Sequence, residues 1–307
     1  MWDDESPQDH KPKEECHMAD IIAGRKAMSK IFYQYGFGEK LSSVPQKRLT
    51  EIICGLAMKG NQSRTTDFAE LKQVFGYQVF GANISTGDFS LCYCLRRCCP
   101  ENGSKIDMAV QLLDTLPETD ARVFLQMDSW YTCKALWDKA LEKNITLIGA
   151  MKTNRILYPD GHRCSAQDYA AMLPNGQYHL VTVGGHEYWI HRYEGALNGI
   201  EKAVVLLSYP KDAFGSKKAL RVFICSDFGL SDGEILSHYT HRWKIEVMFK
   251  QQKMYLGLKS FMVRSAIAID RLFVILPLAH LFFIVLFDAA LPLSAAIRRF
   301  RTLWGSF

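Results

Sequence analysis

The sequence predicts a mixed α/β fold, and three patterns support this prediction. Two short apolar runs, residues 123–127 and 146–150, flank an amphipathic segment at 133–143; this is the pattern of a βαβ unit with two parallel strands and a right-handed crossover. Two strand-like segments joined by a turn precede that unit, and four short strand-like segments follow it. We therefore expect an α/β core that carries a β-rich insertion.

The N-terminal part is predicted to be helical after a disordered leader. Residues 1–18 are rich in Asp, Glu, Lys and Pro and contain no apolar core, so we expect disorder and no signal peptide. Residues 19–35 and 49–58 have apolar side chains at helical spacing, which indicates a helical region over 19–73. The chain has 307 residues, of which 48% are hydrophobic, enough for one large core and an insertion.

The first part of the core is predicted to span residues 74–155. Strand-like segments at 74–85 and 89–95 are joined at Thr86-Gly87-Asp88, a sequence typical of a hairpin turn. A helix at 105–116 ends before Pro117, and the βαβ unit follows. The order hairpin, helix, strand, helix, strand makes up most of a ribonuclease-H-like core. Asp128 comes directly after a strand, where open α/β sheets place their chemistry.

The β-rich insertion is predicted over residues 156–228. Its strand-like segments are 178–183, 186–194, 202–209 and 220–225, and Gly184-Gly185 suits a tight hairpin. The core is then expected to resume with a helical segment over 229–262. Ser231 and Glu234 have capping-box spacing at its start.

Residues 263–307 are predicted to form apolar C-terminal helices. The stretch 272–287 is apolar or nearly so and contains Pro277 and His280. A membrane span needs about 20 predominantly apolar residues, so a buried helix hairpin is the favoured interpretation. A membrane-associated protein that uses this stretch is the alternative.

Charge and cysteines limit the classes of partner. The net charge of +5 permits nucleic-acid binding without demonstrating it. The nine cysteines have no repeating frame, which is typical of reduced thiols in the cytosol. Cys92, Cys94, Cys98 and Cys99 lack the second, distant pair that a structural zinc site usually has, so we interpret them as packing residues.

One stripe of polar side chains carries the functional signal. On a single helix at about 100° per residue, one narrow face would hold one carboxylate, three cations and a phenol, namely Tyr239, Arg242, Glu246, Lys250 and Lys253. Such a face favours an anionic partner. The alternative is a solvated face on which Arg242 and Glu246 form an ordinary i,i+4 pair.

The spacing Y-x2-R-x3-E-x6-K at Tyr239, Arg242, Glu246 and Lys253 resembles the signature of insertion-sequence transposases of the DDE superfamily, in the IS-four-like group. The segment 123–131 resembles the strand and loop that bear the second catalytic aspartate of that family, here Asp128. Residues 152–155 resemble the basic stretch after the next strand. The resemblance extends from about residue 75 to about residue 272.

The resemblance implies DNA transposition by metal-dependent phosphodiester cleavage and strand transfer. Asp128 and Glu246 would be catalytic ligands of Mg²⁺ or Mn²⁺, since hard cations prefer carboxylates. Double-stranded DNA, both transposon ends and target, would be the partner, contacted by Tyr239, Arg242 and Lys253. It also implies a cytoplasmic, nucleoid-associated protein of bacterial type without a membrane, and a homodimer as the assembly to test.

Two further residue types extend this predicted DNA-binding set. Lys250 shares the cationic stripe and can contact a phosphate as a point charge. Trp130, next to the Asp128 position, suits stacking on an extruded base. For Trp130 and Tyr131 together, packing beneath the Asp128 loop is an equal alternative.

The first aspartate of the family has no counterpart where it is expected. That residue lies on a central strand before the hairpin, but residues 61–73 contain no apolar run, and Asp67 lies in a polar, helix-like context. We infer an internal deletion between about residues 66 and 75. The chain is then a degenerate copy with impaired catalysis; the alternative is a non-catalytic DNA-binding remnant.

The inferred deletion leads to two structural expectations. Asp128 and Glu246 should converge, and neither Asp67 nor Asp88 should join them. The hairpin over 74–95 should shift to fill the gap, so that residues 75–84 pair antiparallel with residues 123–127; the alternative is that the chain fails to form a stable monomer.

Overall fold

The computed structural model describes residues 78–87, 89–262, 265–287 and 291–304. They divide into two compact units: the first contains Gly81–Arg96 and the described residues from Val247 onward, and the second contains residues 78–80 and Arg97–Glu246. The predicted leader and helical N-terminal region, together with Asp67 and Asp88, lie outside the described residues.

The second unit contains an eight-stranded mixed sheet. Its strand order is β3-β4-β10-β9-β8-β5-β6, with β7 also paired to β8. The strands are β3 (Phe124–Met127), β4 (Thr146–Met151), β5 (Ile156–Leu157), β6 (Cys164–Ser165), β7 (His179–Val183), β8 (His186–Leu197), β9 (Ile200–Pro210) and β10 (Arg221–Cys225).

The predicted βαβ unit is confirmed. Helix α1 (Lys105–Asp114) precedes it, and helix α2 (Lys134–Glu142) connects β3 to β4. The two strands pair in parallel, with Met127 opposite Gly149. Because β3 ends at Met127, Asp128 lies at the carboxyl edge of the sheet, as expected.

The insertion extends the same sheet. β10 pairs antiparallel with β4 on one side and with β9 on the other, so the insertion strands continue the core sheet. The Gly184-Gly185 hairpin between β7 and β8 is confirmed, with both glycines at positive φ. The short strands β5 and β6 and helix α3 (Ala166–Met172) were not predicted.

Helix α4 (Asp232–Thr240) begins with the predicted capping box: Ser231 Oγ accepts from Glu234 N, and the Glu234 carboxylate accepts from Ser231 N. Ile235 and Leu236 pack into a buried cluster with sheet residues that include Ile148 and Leu206. This burial fixes one face of α4 against the sheet.

The prediction of one continuous helix through residues 239–253 is wrong. α4 ends at Thr240, and helix α5 (Trp243–Tyr255) begins after a turn. In the turn, Arg242 N donates to Tyr239 O and Ile245 N donates to Arg242 O, an i to i+3 pattern. The Thr240 hydroxyl donates to Ser237 O at 2.6 Å, and such local bonds compete with regular helix.

The first unit contains most of the hairpin and the C-terminal helices. Strands β1 (Val79–Thr86) and β2 (Phe89–Arg97) form a separate two-stranded sheet, so the predicted shift of the hairpin onto residues 123–127 is wrong. Interactions within its own unit hold the hairpin instead. Cys92 N donates to His280 Nδ1 at 3.1 Å, and a Cβ on Gly81 would lie 2.5 Å from the Phe249 ring.

The apolar C-terminal stretch belongs to helix α6 (Ala266–Phe287), which continues through Pro277. Helix α7 (Leu293–Trp304) follows, and Phe300 contacts the rings of Phe282, Phe283 and Phe287. By length and composition alone α6 is long and apolar enough to cross a membrane, but 67% of its most apolar window is buried within the structure. A mostly buried core helix can have the same length and hydropathy.

Candidate active site

Asp128 is held in a tight loop after β3. Its Oδ1 accepts a hydrogen bond from Trp130 N at 2.9 Å, and its backbone oxygen accepts one from Tyr131 N. Thr132, which is buried, donates through Oγ1 to Ala150 O at 2.6 Å. These bonds fix the loop to β4, while the Asp128 side chain stays exposed and available to bind a ligand.

Tyr239, Arg242 and Glu246 form a connected group across the turn between α4 and α5. Arg242 Nη2 donates to Glu246 Oε1 at 2.7 Å. The Arg242 guanidinium carbon lies 5.7 Å from the centre of the Tyr239 ring, within cation–π range. The break in the helix therefore does not separate the predicted stripe at these positions.

The pKa of Tyr239 connects this group to Asp128. Burial raises it, Arg242 opposes the rise, and the charges of Asp128 and Glu246 raise it further. The convergence of Asp128 and Glu246 stays a prediction.

Arg242 also has an unused donor. Its Nε is buried and has no hydrogen-bond partner in the part of the chain that the structure describes. A buried donor without a partner costs about 1–3 kcal/mol. An incoming phosphate oxygen is the kind of acceptor that would remove this cost.

Trp130 and Tyr131 have different environments. Trp130 is 61% exposed, which suits stacking on a base. Tyr131 is half-buried and meets the Phe80 ring edge-on at 6.2 Å, which suits packing. Burial, with smaller contributions from nearby acidic groups, raises the pKa of Tyr131 to about 12, so it is neutral at physiological pH.

Two lysines accompany Trp130. Lys105 Nζ and Lys152 Nζ lie 5.9 Å and 5.6 Å from the centre of its ring. Lys152 belongs to the basic stretch that sequence analysis identified, whereas Lys105 was missed. Its position at the start of α1, 25 residues from Trp130, carries no local signal of this contact. Lys105 therefore adds, beside Trp130, a positive charge that the sequence did not reveal.

Lys250 and Lys253 lie on α5 beyond Glu246, in the first unit. Both are exposed, and Lys253 Nζ is 6.0 Å from the centre of the Phe249 ring in the same unit. Their exposure leaves them free to meet a solvent-borne anion. Their role in binding DNA stays a prediction.

The residues fit a divalent ion only in part. Asp128 and Glu246 offer exposed carboxylates, the oxygen ligands that Mg²⁺ and Mn²⁺ prefer. Among residues 78–87, 89–262, 265–287 and 291–304, no group of three His, Cys, Asp or Glu side chains is placed to hold a metal. A two-ion site needs more ligands than these two side chains provide.

The family comparison covers the same elements. A family model described as "Transposase DDE domain" matches residues 88–282, from the start of β2 into α6. The match includes Asp128, the turn with Tyr239, Arg242 and Glu246, and Lys250 and Lys253 on α5. No curated protein matches the chain.

Proposed function

Because the chain belongs to the transposase DDE domain family, we propose that it acts in DNA transposition as a transposase of the IS-four-like group. The observation that carries this proposal is the connected group of Tyr239, Arg242 and Glu246. The Arg242 guanidinium lies against the Tyr239 ring and donates to the Glu246 carboxylate. A guanidinium with an unpaired Nε beside a carboxylate suits a phosphodiester substrate.

The proposed partner is double-stranded DNA. Arg242 would donate to a phosphate through its unpaired Nε, and Lys250 and Lys253 would add point charges along α5. Trp130 would stack on a base, with Lys105 and Lys152 near its flanking phosphates. Phosphate contacts supply most of the affinity for non-specific DNA, so binding does not require a complete metal site.

Asp128 and Glu246 are the residues we propose as catalytic ligands of Mg²⁺ or Mn²⁺. Such ions, when bound, activate the attacking oxygen and stabilise the leaving one. With two acidic ligands we expect weak metal binding and impaired cleavage, which makes the chain a degenerate copy.

The second candidate function is DNA binding without catalysis. It is favoured by the Arg242–Glu246 ion pair, which engages one of the two carboxylates with a cation of the protein. A protein of this kind would act in the bacterial-type cytoplasm, next to the nucleoid, alone or paired with a second copy.

The test uses the full chain with supercoiled plasmid and with a duplex oligonucleotide. Retention of the duplex together with Mg²⁺- or Mn²⁺-dependent nicking that Asp128→Asn abolishes would establish an active transposase. Retention without nicking would establish the DNA-binding remnant. Absence of retention at low salt would overturn both functions.

A further inference from the structure

Arg192 connects the insertion to the start of α4. It lies on β8, and its guanidinium donates in three directions outside its own strand: to Phe228 O at 3.0 Å, to Leu230 O at 2.9 Å and to Asp232 Oδ1 at 2.9 Å. Its Nε also donates to Glu194 Oε1 at 2.6 Å. The planar guanidinium suits this fan of acceptors, which a lysine could not reproduce.

Asp232 receives this contact at the first residue of α4. It is 8% exposed, and its second oxygen, Oδ2, lies 3.0 Å from His179 Nε2 on β7. Two neighbouring strands of the insertion therefore hold one buried carboxylate. Tyr239 follows two helical turns later, and Arg242 and Glu246 follow across the turn into α5.

This network differs from the interactions that form the helix itself. The capping box of Ser231 and Glu234 satisfies the first turn of α4 from within. The Arg192 bonds instead join the preceding loop and the helix start to the sheet. Loss of the Arg192 guanidinium would remove a donor from two backbone carbonyls and from the buried Asp232 carboxylate. The capping box would remain.

We propose that Arg192 is a positioning residue through which the β-rich insertion fixes α4, and with it Tyr239, Arg242 and Glu246, relative to Asp128. The insertion thus holds the candidate site in position. This inference rests on the proposed function for its consequence on DNA, but its structural part can be measured without DNA.

The experiment compares Arg192→Met and Arg192→Lys in the full chain. Arg192→Met keeps the aliphatic stem, whereas Arg192→Lys keeps the charge for Asp232 and loses the bonds to Phe228 and Leu230. The matched control is Lys211→Met, which removes the 2.7 Å pair with Glu187 on the same sheet and makes no contact with α4 that the structure records. Backbone hydrogen exchange and affinity for a duplex oligonucleotide are measured for each variant.

In Arg192→Met we expect at least tenfold faster exchange in residues 229–242, unchanged exchange in β9 and β10, and about tenfold weaker DNA binding. Arg192→Lys should fall between Arg192→Met and the unmodified chain, and Lys211→Met should match the unmodified chain. Equal loss of protection throughout the sheet, or full protection of 229–242, would overturn the proposal.

Two further outcomes keep the test decisive. Where Arg192→Met does not fold, Asp232→Asn removes the same charge pair with little change in shape, and the same exchange pattern is expected. Where the unmodified chain does not bind DNA, the proposed function fails. Faster exchange confined to residues 229–242 in Arg192→Met would still support the positioning role of Arg192, and its absence would still contradict that role.

Discussion

Arg242 Nη2 donates a 2.7 Å hydrogen bond to Glu246 Oε1, and the two residues are one helical turn apart. The pair places a guanidinium where a metal ion would have to approach Glu246. A metal ion must therefore use the other carboxylate oxygen of Glu246 or displace Arg242.

Arg242→Ala combined with Lys253→Ala should weaken DNA binding and lower the salt dependence. Each lost phosphate contact should reduce the slope of log affinity against log salt by about 0.9, so the double variant should lose about two. Filter binding over a range of salt concentrations measures this slope. Lys217→Ala, an exposed lysine of the insertion, is the control, and an unchanged slope in the double variant would show that this face does not meet DNA.

Asp128→Asn and Glu246→Gln should each weaken Mn²⁺ binding by at least tenfold, because each removes one of only two acidic ligands that we assign. Titration calorimetry or the electron paramagnetic resonance signal of free Mn²⁺ reports the affinity. Glu142→Gln, an exposed carboxylate on α2, serves as the control. The same Mn²⁺ affinity in all three variants would contradict the assignment of both ligands.

His280 should make stability depend on pH. Burial lowers its pKa from 6.5 to about 4, so the unfolded chain binds this proton at a higher pH than the folded chain does. The free energy of unfolding should therefore fall as the pH drops from about 6.5 towards 4, by about 3 kcal/mol from this group.

His280→Asn offers an oxygen where Nδ1 accepts from Cys92 N and removes the titration. Urea unfolding at pH 7 and pH 4.5 should show a smaller loss of stability at the lower pH for this variant than for the unmodified chain. His162→Asn, at an exposed position, should leave the loss unchanged. Equal losses in all three proteins would argue against a buried neutral His280.

Gly149→Ala should destabilise the second unit by about 1–3 kcal/mol. A Cβ at this position would lie 3.0 Å from Thr132 Oγ1 and 3.2 Å from Met127 Cγ, so it would press on the loop that holds Asp128. Thermal unfolding measures the loss. Gly176→Ala, where a Cβ meets nothing within 4 Å, should change stability far less; equal effects would mean that the loop yields without cost.

Sequence patterns predicted the elements that depend on interactions between residues close together in the chain. The parallel pairing of β3 with β4 follows from a short crossover helix, and the capping box at Ser231 and the hairpin at Gly184 follow from residues within three positions of one another. These features depend on short-range geometry, which the sequence displays directly.

Long-range placement could not be predicted in the same way. The pairing of β10 with β4 joins residues more than 70 positions apart, and the contact of Lys105 with Trp130 depends on where α1 packs. The hairpin β1–β2 was expected to fill a gap in the sheet, but the bond from Cys92 to His280 shows that tertiary contacts from the C-terminal helices decide its place. No pattern within either segment encodes such partners.

The turn between α4 and α5 gives the motif spacing a geometric meaning. Tyr239 and Arg242 are three residues apart where the backbone bonds run from i to i+3, and Arg242 and Glu246 are four apart where α5 follows. Side chains three apart eclipse in the tighter turn but diverge by about 60° in a regular α-helix. The turn thus aligns the phenol with the guanidinium more closely than a regular helix would, although the two side chains would share one face in either geometry.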